Sequence, residues 1–441
     1  MEIRLPSWAE VALATLDGAG YEAYAVGGCV RDALLGRPLH DIDITTSATP
    51  EQVKAAFVGY PVIETGIKHG TVTVLVEHNP LEITTYRSEG GYGDGRHPDE
   101  VTFGCSLEED LSRRDFTVNA MAYHPTRGLV DLYGGREDLA RRVIRCVGEP
   151  TRRFGEDALR ILRALRFSSV LDFDIDGETE CALRATKDRI ALVSVERITA
   201  ELSRLLTGVR AGELLRRFPE VFGVFLPELL PAVSFDQHNY HHKYDVYTHI
   251  TAVVEATPPE LALRLAALLH DVGKPPCFSM DGEGVGHFYG HAALGAEMAE
   301  QILRRLRFDN RTVDEVITLI RYHDGPVEED KRAVRRKMAK LGQEGFFRLL
   351  ALQRADCMGQ ADWLQAERLA HYDRLEEIAR EICDADECLS VSKLAVNGHD
   401  LMALGYRGRE VGDALRMLLD AVLSEQVKNE KDALLAFLSE E

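Results

Sequence analysis

Two aspartates separated by one residue, Asp41 and Asp43 in the run HDIDITT, are the first side chains whose spacing suits chemistry. On an extended strand both project to one face while Ile42 and Ile44 project to the other, into a core. Carboxylates that converge in this way repel one another unless cations lie between them, and hard oxygen donors suit Mg²⁺ bound to a triphosphate. For a D-x-D taken alone, the competing reading is a solvated strand face. Shortly before it, AVGGCVRDALLG sets a Gly27-Gly28 turn between an apolar strand and a helix. Gly28 lets the backbone approach a phosphate, and Arg31 in the first helical turn is placed to reach the phosphate oxygens. The alternative there is an ordinary turn followed by a surface Arg31–Asp32 pair. Glu82 in LEITTYR is the candidate third metal-facing carboxylate, with Thr84 on the same face by alternation.

A second set is helical. On a helix beginning near Gly155, Asp157, Arg160 and Arg163 recur at i, i+3 and i+6 and share a face, opposite Ala158, Ile161, Leu162 and Leu165. A carboxylate accepts hydrogen bonds and a guanidinium donates them, so Asp157 beside Arg160 presents an acceptor next to a donor. Cytosine and adenine both offer an exocyclic amine beside an acceptor ring nitrogen, whereas uracil and guanine reverse the pattern. Arg163 and Arg166 extend this face. A surface Asp157–Arg160 ion pair is the plainer reading.

A third set is rich in histidine. The apolar helix in LALRLAALLHDVGKP ends on His270-Asp271, with His249 before it and His291, His323 and Asp356 after it. Imidazole and carboxylate donors together suit a transition metal. A helical domain with satisfied core or surface histidines is the competing reading.

The elements that must hold these sets change character along the chain. Up to about residue 140, short β-like runs such as TVTVLVE alternate with turns rich in Gly, Pro and Asn, predicting an α/β unit. From Gly155 the apolar period becomes helical and strand signals almost vanish, so the remainder is expected to be all-α, with a boundary near 235 and a last helical section from about 360. The fold class is therefore α+β, and 441 residues call for several packed units.

The motifs in order resemble the DNA polymerase β-type nucleotidyltransferases, in the branch of class II CCA-adding enzymes and bacterial poly(A) polymerases. GGCVRD with DID, LSRRDFTVNAMAY, DLYGGREDL, EDALRILRALRF and ERITAEL match that branch across residues 20 to 206. The resemblance implies a catalytic head over 1–145, a helical neck over 146–234, an HD domain over 235–360 and a tRNA-binding tail over 361–441. It implies that Arg113, Arg114 and Asp115 recognise the ribose, with Asp115 on the 2′-hydroxyl, while capping of the following helix by Asp115 stays open. Asn119 is expected to fix local backbone. Asp157 and Arg160 fall on the family's protein template, which implies CTP and ATP as substrates and a tRNA 3′ end as acceptor. The order of histidines resembles the HD-domain phosphohydrolases, whose ligands map to His249, His270, Asp271 and Asp356; His291 and His323 would serve a second ion. A metal-dependent phosphohydrolase carrying an RNA-binding N-terminal part is thus the rival of another class.

The Gly-rich stretch SEGGYGDGRHPDE lies where CCA-adding relatives carry a loop needed for the terminal A, and ETGIKHGTVTV also resembles the CCA-adding form. The basic sequence of poly(A) polymerases is not found. An enzyme adding only the terminal A shares every motif and remains the runner-up.

Net charge is −20, against a protein that coats nucleic acid throughout, but arginines crowd Arg141 to Arg166 and Lys331 to Lys340 carries no acid. Both runs can hold phosphates; the Lys331 to Lys340 run and the turn around Gly405, Gly408 and Gly412 are the candidate tRNA contacts, with a plain helical hairpin as the competing reading of the turn. Eight scattered cysteines without a C-x-x-C pair fit a reducing compartment, Glu2, Glu10 and Asp17 interrupt any signal-peptide core and no uninterrupted apolar run is long enough to span a bilayer, so a cytoplasmic protein without a signal peptide or membrane span is expected.

Overall fold

The structure, a computed structural model, describes residues 3–39, 41–64, 66–67, 70–90 and 100–440. Met1–Arg210 with Glu220–Phe225 form one compact unit, and Ala211–Pro219 with Leu226–Glu441 form the other.

In the first unit, α1 (Ser7–Gly18) leads into β1 (Ala23–Val26), α2 (Gly28–Leu34) and β2 (Asp43–Thr46). Then come α3 (Pro50–Ala56), β3 (Val62–Ile63), β4 (Thr71–Val76) and β5 (Asn79–Thr85). The start of α3 is fixed by a capping box between Thr49 and Gln52, with Pro50 at its first position. β6 (Arg87–Gly90) pairs with β7 (Glu100–Phe103), and α4 (Leu107–Ser112), capped by Ser106 and Glu109, precedes β8 (Met121–His124) and β9 (Gly128–Asp131). The sheet runs β3-β4-β5-β2-β1-β8-β9. Its core follows from alternation: Val72, Val74 and Val76 of β4 are buried while the residues between them are partly exposed. The neighbours β2 and β5 run parallel, and their register sets Asp43 opposite Glu82.

A helical part completes this unit: α5 (Gly135–Arg141), α6 (Pro150–Glu156), α7 (Leu159–Leu171), α8 (Gly177–Thr186) and α9 (Val195–Leu206). Helix α9 buries Ile198, Leu202, Leu205 and Leu206 on one stripe. The expectation of no strands here needs correction, because β10 (Val143–Ile144) pairs in parallel with β11 (Asp174–Ile175). The single helix expected from Gly155 is also two. Asp157 sits between α6 and α7 in extended backbone (φ −144°), so it does not share a helical face with Arg160 and Arg163.

The chain continues through α10 (Ala211–Arg217) and α11 (Pro219–Phe222). The second unit contains α12 (Val246–Ala256), α13 (Leu261–Leu269), α14 (Lys274–Cys277), α15 (His291–Arg305), α16 (Asn310–Tyr322), α17 (Lys331–Leu341), α18 (Gln343–Met358) and α19 (Asp362–Asp384). A hairpin of β12 (Ser279–Met280) and β13 (Gly286–His287) interrupts them. Caps of Asp245 on α12 and Asp309 on α16 fix two helix starts in this unit. All eight cysteines are free, and among the described residues no helix is long and apolar enough to cross a membrane.

Candidate active site and a histidine-rich centre

The strand register builds the first site. Asp43 opens β2, directly beside Glu82 of β5, and Asp41 lies two residues ahead of the strand end. Partial burial, and the Glu82 and Asp41 carboxylates, push the Asp43 carboxyl above its ordinary range, while the Arg114 guanidinium pulls it back. The three acids therefore crowd charge at one end of the sheet. Gly27 turns the chain there with φ +77°, and a Cβ on it would stand 3.0 Å from Arg114 NH1. Gly28 opens α2. Arg114 is set by Asp110, a buried carboxylate that also takes Arg113 at 2.8 Å and the Thr45 hydroxyl at 3.0 Å. Sequence reasoning missed Asp110; its signal was an acid three and four residues ahead of two arginines on a helix.

A second group surrounds the Phe167 ring, where Arg31, Arg163 and Arg166 lie 5.2, 5.3 and 3.8 Å from its centroid. Arg31, the candidate for reaching phosphate, is buried, donates to Asn119 Oδ1 at 2.6 Å and pairs with Asp32 at 2.9 Å. Asn119 does more than fix backbone, since its Nδ2 donates to Asp115 Oδ1 at 3.2 Å. Burial alone would raise the Asp115 carboxyl, but the Arg163 guanidinium at its side holds it down to about 2. Asp115 does not cap a helix; it accepts from the Phe116 N–H and from Arg163. Arg166 is buried against Glu201 of α9 at 2.6 Å, and burial with Arg163 nearby lowers it to about 10.

The Asp157 and Arg160 side chains are not paired with each other. Arg197 of α9 holds Asp157 at 3.2 and 2.7 Å, and Asp157 also accepts from the Leu159 N–H. Arg160 is fixed by Glu156 Oε2 at 2.6 Å and by the carbonyls of Arg153 and Arg113. Both are thus held by third parties, which keeps an acceptor and a donor from cancelling each other.

The arginine run from 141 to 166 is not a free positive field. Arg145 pairs with Asp138 and Asp176, Arg153 with Glu156, Arg163 with Asp115 and Arg166 with Glu201. In the second unit, Lys331 and Arg335 of α17 pair with Glu387, and Arg335 also pairs with Glu425. That part of the basic run ties helices together.

The histidine-rich centre assembles all six expected residues within the second unit. His249 Nε2 lies 3.3 Å from Asp271 Oδ2 and 2.9 Å from Asp356 Oδ1, and His270 Nε2 lies 3.2 Å from Asp271 Oδ2. On the other carboxylate oxygen, His291 and His323 stand 3.5 and 3.8 Å from Asp271 Oδ1. Every ring donates its Nδ1–H to a backbone carbonyl: His249 to Gly359, His270 to Ala267, His291 to Phe288 and His323 to Ile320. Only Nε2 is left facing inward, the arrangement that orients histidine ligands. Neither buried oxygen of Asp271 accepts a well-formed hydrogen bond, and Lys274 Nζ is its ion-pair partner at 2.8 Å. His249, His270 and Asp271 form one compact donor set and Asp271, His291 and His323 another. Mixed imidazole and carboxylate donors fit two transition-metal ions sharing Asp271.

The chain is 35% identical over 432 residues to the CCA-adding enzyme of Lactobacillus helveticus, covering 97% of this chain and 95% of that protein. It belongs to the CCA-adding enzyme family. A second member of the family, from Lactiplantibacillus plantarum, is 36% identical over 436 residues, again with 97% and 95% coverage. The structure of the Bacillus stearothermophilus CCA-adding enzyme in complex with CTP superposes with TM-score 0.73 at 32% identity, covering 98% of this chain and 96% of that one. The family profile "Poly A polymerase head domain" matches residues 23–145, and the profile of tRNA nucleotidyltransferase domain 2 matches 288–438. The α+β fold and the nucleotidyltransferase class expected from the motifs are those of this family. The glycine-rich stretch expected to govern terminal A addition spans 88–100; its ends pair in β6 and β7, while 91–99, like 65, 68 and 69 of ETGIKHG, lie outside the described residues.

Proposed function

We propose that the protein adds CCA to the 3′ end of tRNA without a nucleic-acid template, taking CTP and ATP and releasing pyrophosphate. The observation that carries this reading is the likeness to CCA-adding enzymes along nearly the whole chain. Asp41 and Asp43, with Glu82 beside them, would hold Mg²⁺, which when bound lowers the pKa of the attacking hydroxyl and neutralises the leaving group. The remaining work falls to the chain. Arg114, steadied by Asp110, places a positive charge at the carboxylates; Gly28 admits phosphate; Asp115 presents an acceptor for the ribose 2′-hydroxyl. Asp157, clamped by Arg197, and Arg160, clamped by Glu156, offer the acceptor and donor that suit cytosine and adenine. Arg163 and Arg166 act by fixing Asp115 and Glu201. The reaction on tRNA implies a cytoplasmic protein.

Incubation with tRNA ending at the discriminator base, with CTP and ATP, tests the reading. Three added nucleotides support it; addition of A alone to tRNA ending in CC, or of long A runs, replaces it with A-adding or poly(A) synthesis.

The histidine-rich centre supports a second activity, a metal-dependent phosphohydrolase in residues 235–360, because four imidazoles and two carboxylates converge and each ring has its second nitrogen already committed. Ions at this centre would activate water for attack on a phosphate ester. Loss of phosphodiester hydrolysis in His270→Ala, with nucleotide addition kept, is the expected result; unchanged hydrolysis removes the centre from this role.

A further inference from the structure

Helices α6 and α7 stop and restart where the local sequence would run on. Residues 156–160 contain no proline or glycine, and Ala158, Leu159 and Arg160 are all strong helix formers. A single helix across them would give the Gly155 carbonyl the N–H of Leu159, four residues on. Both groups are engaged elsewhere. The Leu159 N–H donates to Asp157 Oδ1 at 3.1 Å, and the Gly155 carbonyl accepts from Nη2 of Arg189 at 2.9 Å. The two groups that a continuous helix would join have each been given a side-chain partner instead.

Continuity would also set Asp157 and Arg160 three residues apart on one face, close enough to pair. The break prevents this. Asp157 is extended, with φ −144° and ψ 108°, and Arg160 turns back to donate to the Arg153 carbonyl at 3.1 Å. Only the broken form keeps the acceptor and the donor from satisfying each other.

Arg189 comes from the 3₁₀ turn Lys187–Leu192 between α8 and α9, a turn anchored by the fully buried Ile190, whose carbonyl accepts the Val193 N–H at 2.9 Å. Arg197 lies eight residues further along the same arm, near the start of α9. One arm therefore grips both sides of the break: Arg189 holds the last turn of α6, and Arg197 holds the residue that parts the helices. A guanidinium suits the first position, because the final carbonyls of a helix carry partial negative charge and lack helical donors. Its bond is to a backbone oxygen and not to a reading side chain, so removing it leaves the chemistry of both readers unaltered.

We propose that Arg189 is a positioning residue for nucleotide specificity: by holding the Gly155 carbonyl it keeps α6 and α7 apart, and so keeps Asp157 and Arg160 available to tell cytosine and adenine from uracil and guanine. Without Arg189 the Gly155 carbonyl takes back the Leu159 N–H, Asp157 Oδ1 loses a donor, and the pair closes on one helical face. This rests on the reading of Asp157 and Arg160 as the base reader, and it adds the residue that keeps the reader open. The carboxylates Asp41, Asp43 and Glu82 are untouched, so the effect falls on the choice of nucleotide and not on the rate at saturation.

Steady-state addition of CTP, ATP and UTP to tRNA, with the full chain, tests this. Arg189→Met keeps the packing of the stem and removes the donors, whereas Arg189→Lys keeps a donor. In Arg189→Met, KM for CTP and ATP should rise and the kcat/KM preference for CTP over UTP should fall at least about tenfold, with kcat for CTP within about threefold of wild type. Arg189→Lys should recover most of the preference. An unchanged preference in Arg189→Met overturns the proposal, and so does a fall in kcat with the preference intact, which is what a purely structural arginine would give. The reading beneath it fails separately: wild-type protein that takes UTP as readily as CTP shows that Asp157 and Arg160 select no base, whatever Arg189 does.

Discussion

Arg163 reaches from α7 to set its Nε 2.7 Å from Oδ2 of Asp115, joining the helical part of the first unit to the turn that follows α4. Burial opposes the Asp115 charge, and the pair overrides it, holding the carboxyl at about 2 against an ordinary 3.8. A folded value below the unfolded one contributes stability above the unfolded value, which fades as pH falls through the folded one. Asp115→Asn should therefore lower Tm at neutral pH, and thermal unfolding should show the gap to wild type closing between about pH 4 and pH 2.

Asp43→Asn should separate activity from stability. Nucleotide addition is expected to fall by at least about 10³-fold, as when a charge-stabilising group is lost from a phosphoryl-transfer site. Tm should be unchanged or higher, because burial, Glu82 and Asp41 already disfavour the Asp43 charge in the fold. Gel incorporation and calorimetry on the same sample read both.

Arg197→Ala leaves Asp157 without its two-point clamp. A hydrogen bond to a charged group contributes about 1.5–3 kcal/mol, so KM for CTP and ATP should rise about tenfold or more. Misincorporation of UTP should increase alongside, since a swinging carboxylate no longer fixes which edge of the base it meets.

Ion content should divide along the two oxygens of Asp271. Asp271→Ala is expected to lose both ions and His323→Ala to lose one, as counted by metal analysis of the full chain after saturation and desalting. Equal retention in both variants would contradict a shared carboxylate.

Gly27→Ala forces a side chain into positive φ and toward Arg114. A loss of about 1–3 kcal/mol in denaturant unfolding is expected, with weaker nucleotide binding because Arg114 must shift.

The sequence carried what depends on local pattern. The D-x-D, the glycine turn and the alternation that brings Glu82 to the site are all short-range, and the structure sets Asp43 and Glu82 side by side. What escaped depends on distant partners. Asp157 looked helical because nothing in GEDALR breaks a helix, yet the chain is extended at Asp157, whose carboxylate is taken by Arg197, forty residues on. The arginines of 141–166 outnumber the acids Glu149, Glu156 and Asp157 within that window, and the partners that complete their pairing, Asp115, Asp176 and Glu201, lie outside it. Phe167, central to three guanidiniums, carried no polar signal at all. The six donors of the histidine-rich centre were named from their order, but the division of Asp271 between two sets is a property of side-chain direction that spacing does not encode.

The parallel register between β2 and β5 has a consequence for how this chain can vary. Because Asp43 and Glu82 are opposed through backbone ladders, deleting one residue inside either strand would turn one acid to the far side of the sheet and bury it among Val72, Val74 and Ile83. Length changes are therefore tolerable in the connections and lethal in the strands: the distance between the two acids is written into the hydrogen-bond lattice, and no substitution of a neighbouring side chain can rewrite it.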